Sequence, residues 1–491
     1  MCVNLGGRKM ILEQLNPRDV FTYFEALTKI PRESGNEAEV SDYLVGFAKG
    51  LQLEVIQEPC YNVIIKKPAT PGYEQAPSVI LQGHMDMVCV KEDDLDFDFA
   101  TQPLPIVVDG DWVRTEGTTL GGDNGIAVAM AMAILADPSL EHPALTVLIT
   151  TEEETGMNGV LSLNSNHVSG DILINIDSDN EGEALVSCAG GVRNLVSLPL
   201  SWMETPETDR VAYELIISGL KGGHSGADIH KGRANAIKLM GRLLGGLEGL
   251  DSHIAHINGG DQDNAIAKRA VVQIVVPKDS EAELAREVLV YEQKFKQEFS
   301  QTDENIQVHL EKMTLPARVL TRDTTKKVSQ ILQLIPYGPQ TMSADILGLV
   351  ESSTNPGVLN MNVEQIMIHS AVRSSVKSLK EEINQRIQVL VELVGANMEL
   401  ISDYPEWTYA KNSKIRELMV EVYQRLTGKE LKISAIHAGL ECGFLAEKLG
   451  EIDMISIGPN LVDIHTPKEA LSISSTARVY KFLCEVLKAV K

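Results

Sequence analysis

His84 and Asp86 stand two residues apart where the apolar run Val79-Ile80-Leu81 gives way to Gln82-Gly83. In an extended segment, residues at that spacing point to the same side of the chain. The His84 imidazole can therefore face a metal ion while Asp86 takes its other ring N–H, which fixes the tautomer and raises basicity. Four further places offer ligand-type side chains beside apolar runs. Asp123 lies in the turn Gly121-Gly122-Asp123-Asn124-Gly125, and Glu152-Glu153-Glu154 follows Leu145–Thr150. Asp177 ends Ile172–Ile176, and His465 follows Ile457-Gly458-Pro459. Two histidines with three carboxylates suit zinc-like ions, with carboxylate oxygens able to bridge a pair. A magnesium site more often lacks imidazole. Each residue also has a plain structural use: Asp123 can build its turn, the glutamates can open a helix, Asp177 can cap a loop, and His465 can sit on the surface. Their joint occurrence beside strands carries the metal reading.

Such residues converge only if the elements before them share a sheet. Nearly all-apolar strands are expected at Val79–Leu81, Ala144–Thr150 and Asp171–Ile176, the kind buried on both faces in α/β sheets. Shorter strands are expected at Leu53–Gln57, Val63–Lys66 and Trp112–Thr115. Helical spacing runs from about Pro17 to Gly50 with Asn16 or Asp19 as cap, again over Glu37–Leu51, and over Ile126–Ala136. In open α/β sheets, ligands bind at the carboxyl ends of the strands, where these candidates fall.

The pattern changes after Gly190-Gly191. Half-buried alternation, as in Tyr213, Leu215 and Ile217, predicts strands at Arg193–Leu200, Ala212–Ser218 and Ala270–Val276, with a helix at about Arg233–Leu247. A second set follows with Ile306–Leu310, a helix near Thr324–Leu334, strands near Ile346–Glu351 and Val363–Ser370, and a helix at Leu379–Val394. This reads as two α+β units in series, without a residue-level repeat. The first style returns from about Asp403, with helices at Ser413–Leu426, Gly443–Leu449 and Thr476–Lys488 and a strand at Met454–Ile457. The expected architecture is an α/β domain interrupted by a long insertion.

A chain of 491 residues exceeds one core, so two or more domains are expected. Its net charge of −24 argues against nucleic acid or an anionic membrane as partner. No apolar run reaches the length of a membrane span. Met1–Met10 is glycine-rich and polar and lacks the apolar centre of a secretory signal, and Met10 offers an alternative start. The six cysteines are scattered without a Cys-x-x-Cys pair, which predicts reduced thiols and a cytoplasmic protein.

Four longer segments give these residues a common context: Leu-Gln-Gly-His-Met-Asp-Met-Val from Leu81, Thr-Leu-Gly-Gly-Asp-Asn-Gly-Ile from Thr119, Thr-Glu-Glu-Glu-Thr-Gly from Thr151, and His-Ala-Gly-Leu-Glu-Cys-Gly from His437. In this order they resemble the co-catalytic zinc peptidases that include aminoacylases, carboxypeptidase G-type enzymes and cytosolic dipeptidases. Within these, the aminoacyl-histidine (Xaa-His) dipeptidase group is most similar. The resemblance implies a layered α/β zinc-peptidase catalytic domain (1–190 and 405–491) interrupted by a long α+β lid domain (191–404). It implies two divalent metal ions per chain, zinc first, with cobalt or manganese able to substitute. Asp123 would bridge them, His84 and Asp177 would complete one site, and Glu154 and His465 the other. Asp86 would orient His84, and Glu153 would be the general base in hydrolysis of small peptides, preferentially Xaa-His and including β-alanyl-histidine. The alternatives are a broader dipeptidase, tripeptidase or N-acyl-amino-acid hydrolase on the same scaffold and, from a different class, a non-catalytic metal-dependent peptide binder, against which Glu153 beside a full ligand set argues. In the lid, His224 would stabilise the developing oxyanion, and Asn264 and Arg373 would hold the substrate's carbonyl and carboxylate ends. Gly439 and Glu441 lie in a loop expected to approach the substrate. The long lid further implies that His224 serves its own chain's site; homodimerisation through another surface is compatible with this.

Overall fold

The computed structural model describes residues 10–206 and 209–491. Residues 1–9, with Cys2 and most of the N-terminal stretch read above, lie outside the described residues, as do 207 and 208. None of the five described cysteines is in a disulfide. The chain divides into two compact units. The first comprises the described residues up to Ser187, with Tyr409–Ala435 and Glu441–Lys491; the second comprises Cys188–Thr408 with Ile436–Leu440. Residues 188–190, 405–408 and 436–440, expected in the catalytic domain, group with the second unit.

Solid apolar strands must be covered on both faces, and the first unit is built accordingly. Its eight-stranded sheet runs in the order Glu54–Gln57, Val63–Lys67, Leu145–Thr150, Val79–His84, Ile172–Asn175, Asp453–Ser456, Glu183–Cys188, Lys432–Ile436. Val79–His84 pairs in parallel with both Leu145–Thr150 and Ile172–Asn175, and Asp453–Ser456 joins Ile172–Asn175 in parallel. Every residue of these first three strands is buried. The helix Gly122–Ala136 is apolar along its length and buried from Asn124 to Leu135, as a helix covered on all sides must be. A separate four-stranded antiparallel sheet (Leu461–Val462, Ala470–Ser472, Trp112–Thr115, Ile106–Asp109) ties the C-terminal segment to the stretch preceding Gly121.

In the second unit one sheet carries strands from both expected α+β sets. Its order is Gln307–Met313, Arg210–Ser218, Ala270–Pro277, His253–Gly259, Val350–Met361, Gln365–Ser374, Gly190–Pro199, Asn397–Tyr404, with Gly338–Met342 paired to Val350–Met361. The two sets are thus fused into one continuous sheet, and Gly190–Pro199, the first strand in sequence, lies between two strands from later in the chain. At the junction a single pair, Gly259↔Leu359, joins the halves. Helices Ala236–Gly246, Glu281–Glu298, Arg322–Leu334 and Lys377–Val394 contribute to the unit's apolar core through residues such as Leu243, Phe295, Ile331 and Ile387.

Several local expectations are corrected. The first helix, Arg18–Leu27, begins behind Pro17 with no side-chain cap, so neither Asn16 nor Asp19 plays that part. Residues 346–349 form a turn, and the strand begins at Val350, where its pairing with Met342 starts. The helix Glu281–Glu298 was not anticipated, although Leu284, Val288 and Phe295 mark one face of it. Strands His253–Gly259, Asn397–Tyr404 and Lys432–Ile436 were missed as well. In the first two, many polar residues hide the alternation that reveals a strand, and the third is only five residues long.

Candidate functional site

The parallel strands of the first unit end side by side. His84 is the last residue of its strand, in register with Thr150 of the next; Asp177 follows Ile172–Asn175 by two residues. Glu152–Glu154 forms a turn rather than opening a helix, and Glu152 sits in the left-handed region at φ 50°. His465 lies between the short strands Leu461–Val462 and Ala470–Ser472, also left-handed at φ 61°. Non-glycine residues take that conformation at some cost, and such positions cluster at functional sites.

These side chains meet. Asp123 stands between the two histidines: its Oδ1 is 3.1 Å from His84 Nε2 and its Oδ2 is 3.3 Å from His465 Nε2. Asp177 Oδ1 lies 3.5 Å from the same His84 nitrogen, and Glu154 Oε1 lies 2.9 Å from His465 Nε2. One atom each from His84, Asp123 and Glu154 falls within a 4.8 Å group that could hold a metal ion. The donor set thus has two lobes, His84 with Asp177 and His465 with Glu154, with one Asp123 oxygen in each. Asp86 supports both. Its Oδ1 lies 3.2 Å from His84 Nδ1, and its two oxygens accept from the backbone N–H groups of Glu153 and Glu154 at 3.2 Å. Ser34 donates to Asp86 Oδ2 at 2.7 Å. Asn124 accepts from the His84 backbone N–H at 3.2 Å and donates to the Ile176 carbonyl at 2.7 Å, tying two strand ends together. Gly83 permits this approach, because a Cβ there would meet Asn124 Oδ1 at 2.3 Å.

The electrostatics follow from crowding acids around two imidazoles. Burial opposes charge on His84, yet Asp177, Asp123 and Asp86 hold its pKa well above the ordinary imidazole value. Hydrogen bonds to Asp123 and Glu154 push His465 up to about 10. Burial works against it, but the same contacts hold Asp123 well below the usual carboxylate range. Burial, with the charges of Asp123 and Glu154, pushes Asp177 up to about 7. Glu153 is held well above its ordinary value by burial and by the neighbouring Asp177, Glu441 and Glu154 carboxylates. Glu441 is fully buried within the first unit, where Gln82 Nε2 and Thr150 Oγ1 donate to its Oε2 at 2.6 and 2.8 Å. Burial pushes its pKa up to about 7.

Two supports of this site were not anticipated. Glu469 accepts from four successive backbone N–H groups: Leu120 and Gly121 at 2.7 and 3.0 Å on Oε2, Gly122 and Asp123 at 2.8 and 3.2 Å on Oε1. Arg32 donates to the carbonyls of Met85, Asp86 and Gly121. Together they clamp the turn that presents Asp123. Nothing in their local sequence separates them from surface charges. Glu469→Gln replaces one acceptor with an NH2 aimed at backbone donors, which misplaces Asp123. Metal affinity is expected to fall about tenfold or more, the scale of outer-shell losses, as measured by chelator competition. Unchanged affinity would remove Glu469 from this role.

The second unit gathers the remaining predicted residues. Gly223-His224 pairs with Ala265-Ile266, which sets Asn264 beside His224; the Asn264 carbonyl accepts from Ser225 N–H at 2.8 Å. His224 Nδ1 accepts from the backbone N–H groups of Gly226 and Ala227 at 3.2 and 3.0 Å, so the proton of the neutral ring is on Nε2. Burial and the nearby Arg373 charge lower its pKa and keep it neutral. Arg373 lies opposite Ser353 and Gly191 on neighbouring strands and donates to Tyr404 Oη at 2.8 Å. Gly439 lies against the Tyr404 ring, where a Cβ would come within 3.0 Å. His437, Ser353 and Tyr404 belong to this cluster and were not anticipated from sequence.

Comparison with known proteins agrees with this architecture. The chain is 38% identical over 480 residues to the cytosol non-specific dipeptidase of Escherichia coli (strain K12), covering 98% of this chain and 99% of that protein. It superposes on the crystal structure of aminoacylhistidine dipeptidase from Vibrio alginolyticus with a TM-score of 0.95 and 35% identity, over 98% of each chain. The aminopeptidase PepT structure from Bacillus cereus shares the fold at a TM-score of 0.56 and 15% identity, covering 97% of this chain and 99% of that one. The profile of Peptidase family M20/M25/M40 matches residues 80–489, and the chain belongs to that family.

Proposed function

We propose that this protein is a metal-dependent dipeptidase that holds two divalent ions, zinc being the best match to its donors. The observation that carries the reading is Asp123 set between His84 and His465, one oxygen to each, with Glu153 beside the donor set. His84, Asp177 and Asp123 would hold one ion, and His465, Glu154 and Asp123 the other. When bound, two such ions would supply a more acidic water and a polarised scissile carbonyl. Glu153 would take a proton from the attacking water and return it to the leaving amine. Asp86 keeps His84 in the tautomer that leaves Nε2 free. His224 offers Nε2–H to the developing oxyanion, Asn264 the substrate carbonyl a partner, and Arg373 a planar fork to the terminal carboxylate. Gly439, packed against Tyr404, would bring the backbone of its loop up to the substrate. Glu441, buried under Gln82 and Thr150, is assigned to the support of Glu153 rather than to substrate contact.

The substrates are dipeptides with a preference for Xaa-His, including β-alanyl-histidine. The two relatives differ here, one being named non-specific and the other aminoacylhistidine dipeptidase. Turnover of β-Ala-His, Ala-His, a dipeptide without histidine, a tripeptide and an N-acetyl amino acid tests the reading. Xaa-His dipeptides are expected to be hydrolysed fastest. Preferential cleavage of the N-acetyl amino acid would favour the acyl-hydrolase alternative, and metal-dependent binding without turnover would overturn the enzyme reading. A cytoplasmic setting is proposed from the cytosolic relative; among the described residues no helix is long and apolar enough to cross a membrane.

A further inference from the structure

Among the described residues of the second unit several buried side chains keep a polar atom without a partner, Thr354 and Ser370 through hydroxyls; His437 and Arg373 do so through nitrogens. Both are more than nine-tenths buried, with 8% and 9% of their surface exposed, and each carries a polar nitrogen without a hydrogen-bond partner: Nδ1 of His437 and Nε of Arg373. Leaving buried polar groups unmatched is costly, so two unmatched N–H donors in one cluster point to a ligand that accepts from them. The remaining polar atoms of the cluster show what that ligand is. Ser353 Oγ lies 2.7 Å from His437 Nε2, and Arg373 Nη1 donates to Tyr404 Oη at 2.8 Å. Ser353 is the direct cross-strand partner of Arg373, so the residue that holds His437 stands beside the guanidinium.

We propose that His437 is a second donor to the substrate's terminal carboxylate, acting beside Arg373 through Nδ1–H while Ser353 donates to Nε2 and fixes that tautomer. This rests on the dipeptidase reading and adds to it a residue that holds the substrate. The chemistry favours a carboxylate over other ends of a peptide. A carboxylate is acceptor-only and has two oxygens for two donors, whereas an ammonium group would meet the Arg373 charge. A neutral imidazole suits the task, since it donates without adding a second buried cation. Burial together with the charges of Arg373, His224 and His230 pushes His437 down to about 3, so the ring stays neutral in the working range. Its backbone is fixed too: a Cβ at Gly226 would meet the His437 carbonyl at 2.5 Å, so the two segments pack closely.

The test compares free-acid and C-terminally amidated Ala-His in the metal-loaded protein. His437→Leu is expected to raise KM for the free acid about tenfold or more, the scale of a charge-assisted hydrogen bond, with kcat little changed. For the amide the same substitution should change KM less than about threefold. His437→Asn, whose side-chain amide can place a donor near the Nδ1 position, should recover most of the loss, and Ser353→Ala should show a smaller loss in the same direction. Equal effects on acid and amide, an unaltered KM in His437→Leu, or no difference between the Leu and Asn variants would overturn the proposal. If His437→Leu fails to fold, the Asn variant and Ser353→Ala carry the same comparison. A wild-type protein that turns over no dipeptide sinks the dipeptidase reading and this one with it. Wild-type turnover with unaffected variants sinks only the role of His437.

Discussion

Glu153→Gln is expected to retain the full metal complement and lose turnover by about a hundredfold to ten-thousandfold, the range of a general base. The substitution nearly preserves shape, but an amide cannot accept a proton from water and return it to the leaving amine. Glu153 is suited to that exchange because burial and three neighbouring carboxylates hold its pKa well above the ordinary value. Its backbone N–H is already committed to Asp86, so the side chain's surroundings, rather than the fold of the turn, are what the substitution alters. Glu154→Gln should behave differently. Glu154 Oε1 lies 2.9 Å from His465, and the loss of its charge weakens the lobe they share. The two variants are separated by measuring metal content and turnover on the same preparation. If Glu153→Gln lost metal while turnover per loaded molecule persisted, the two roles would be exchanged.

Chelation is expected to abolish hydrolysis, and zinc, cobalt or manganese to restore it. The titration behaviour of the donors makes this loading strongly pH-dependent. A metal ion needs neutral imidazoles and ionised carboxylates. His84 is held well above its ordinary pKa, His465 is pushed up to about 10, and Asp177 is pushed up to about 7. Protons and the cation therefore compete for the same lone pairs, so binding must release protons and apparent affinity must rise with pH. From about pH 6 to about pH 8 the apparent dissociation constant should fall about tenfold or more per unit, the slope set by each proton displaced. Metal titration in weak buffer with a pH dye counts the protons directly. Binding without proton release would show that the ion sits elsewhere. Full activity in protein verified as metal-free would remove the metal mechanism altogether.

The local order of elements in the first unit is legible in the chain because its cause is local. Three solid apolar runs become buried strands, and the helix beginning at the Gly121–Gly125 turn is apolar all round. His84, Asp123, Glu154, Asp177 and His465 could be named because each closes or adjoins such an element. That they face one another is a matter of sheet order. Val79–His84 lies between Leu145–Thr150 and Ile172–Asn175, a crossover arrangement to which no single window of sequence points. The same holds for the insertion, where alternation marks strands individually but pairing fuses them into one sheet with Gly190–Pro199 between two later strands. Residues that act by being buried with particular partners were invisible. Glu469 is one of 68 acidic residues until the fold sets it under the N–H groups of residues 346 to 349 positions earlier. His437 gains its meaning only beside Ser353 and Arg373, which lie 84 and 64 positions before it. Periodicity and turn chemistry act over a few residues and can be read directly, whereas desolvation and charge pairing depend on neighbours that only the tertiary structure supplies.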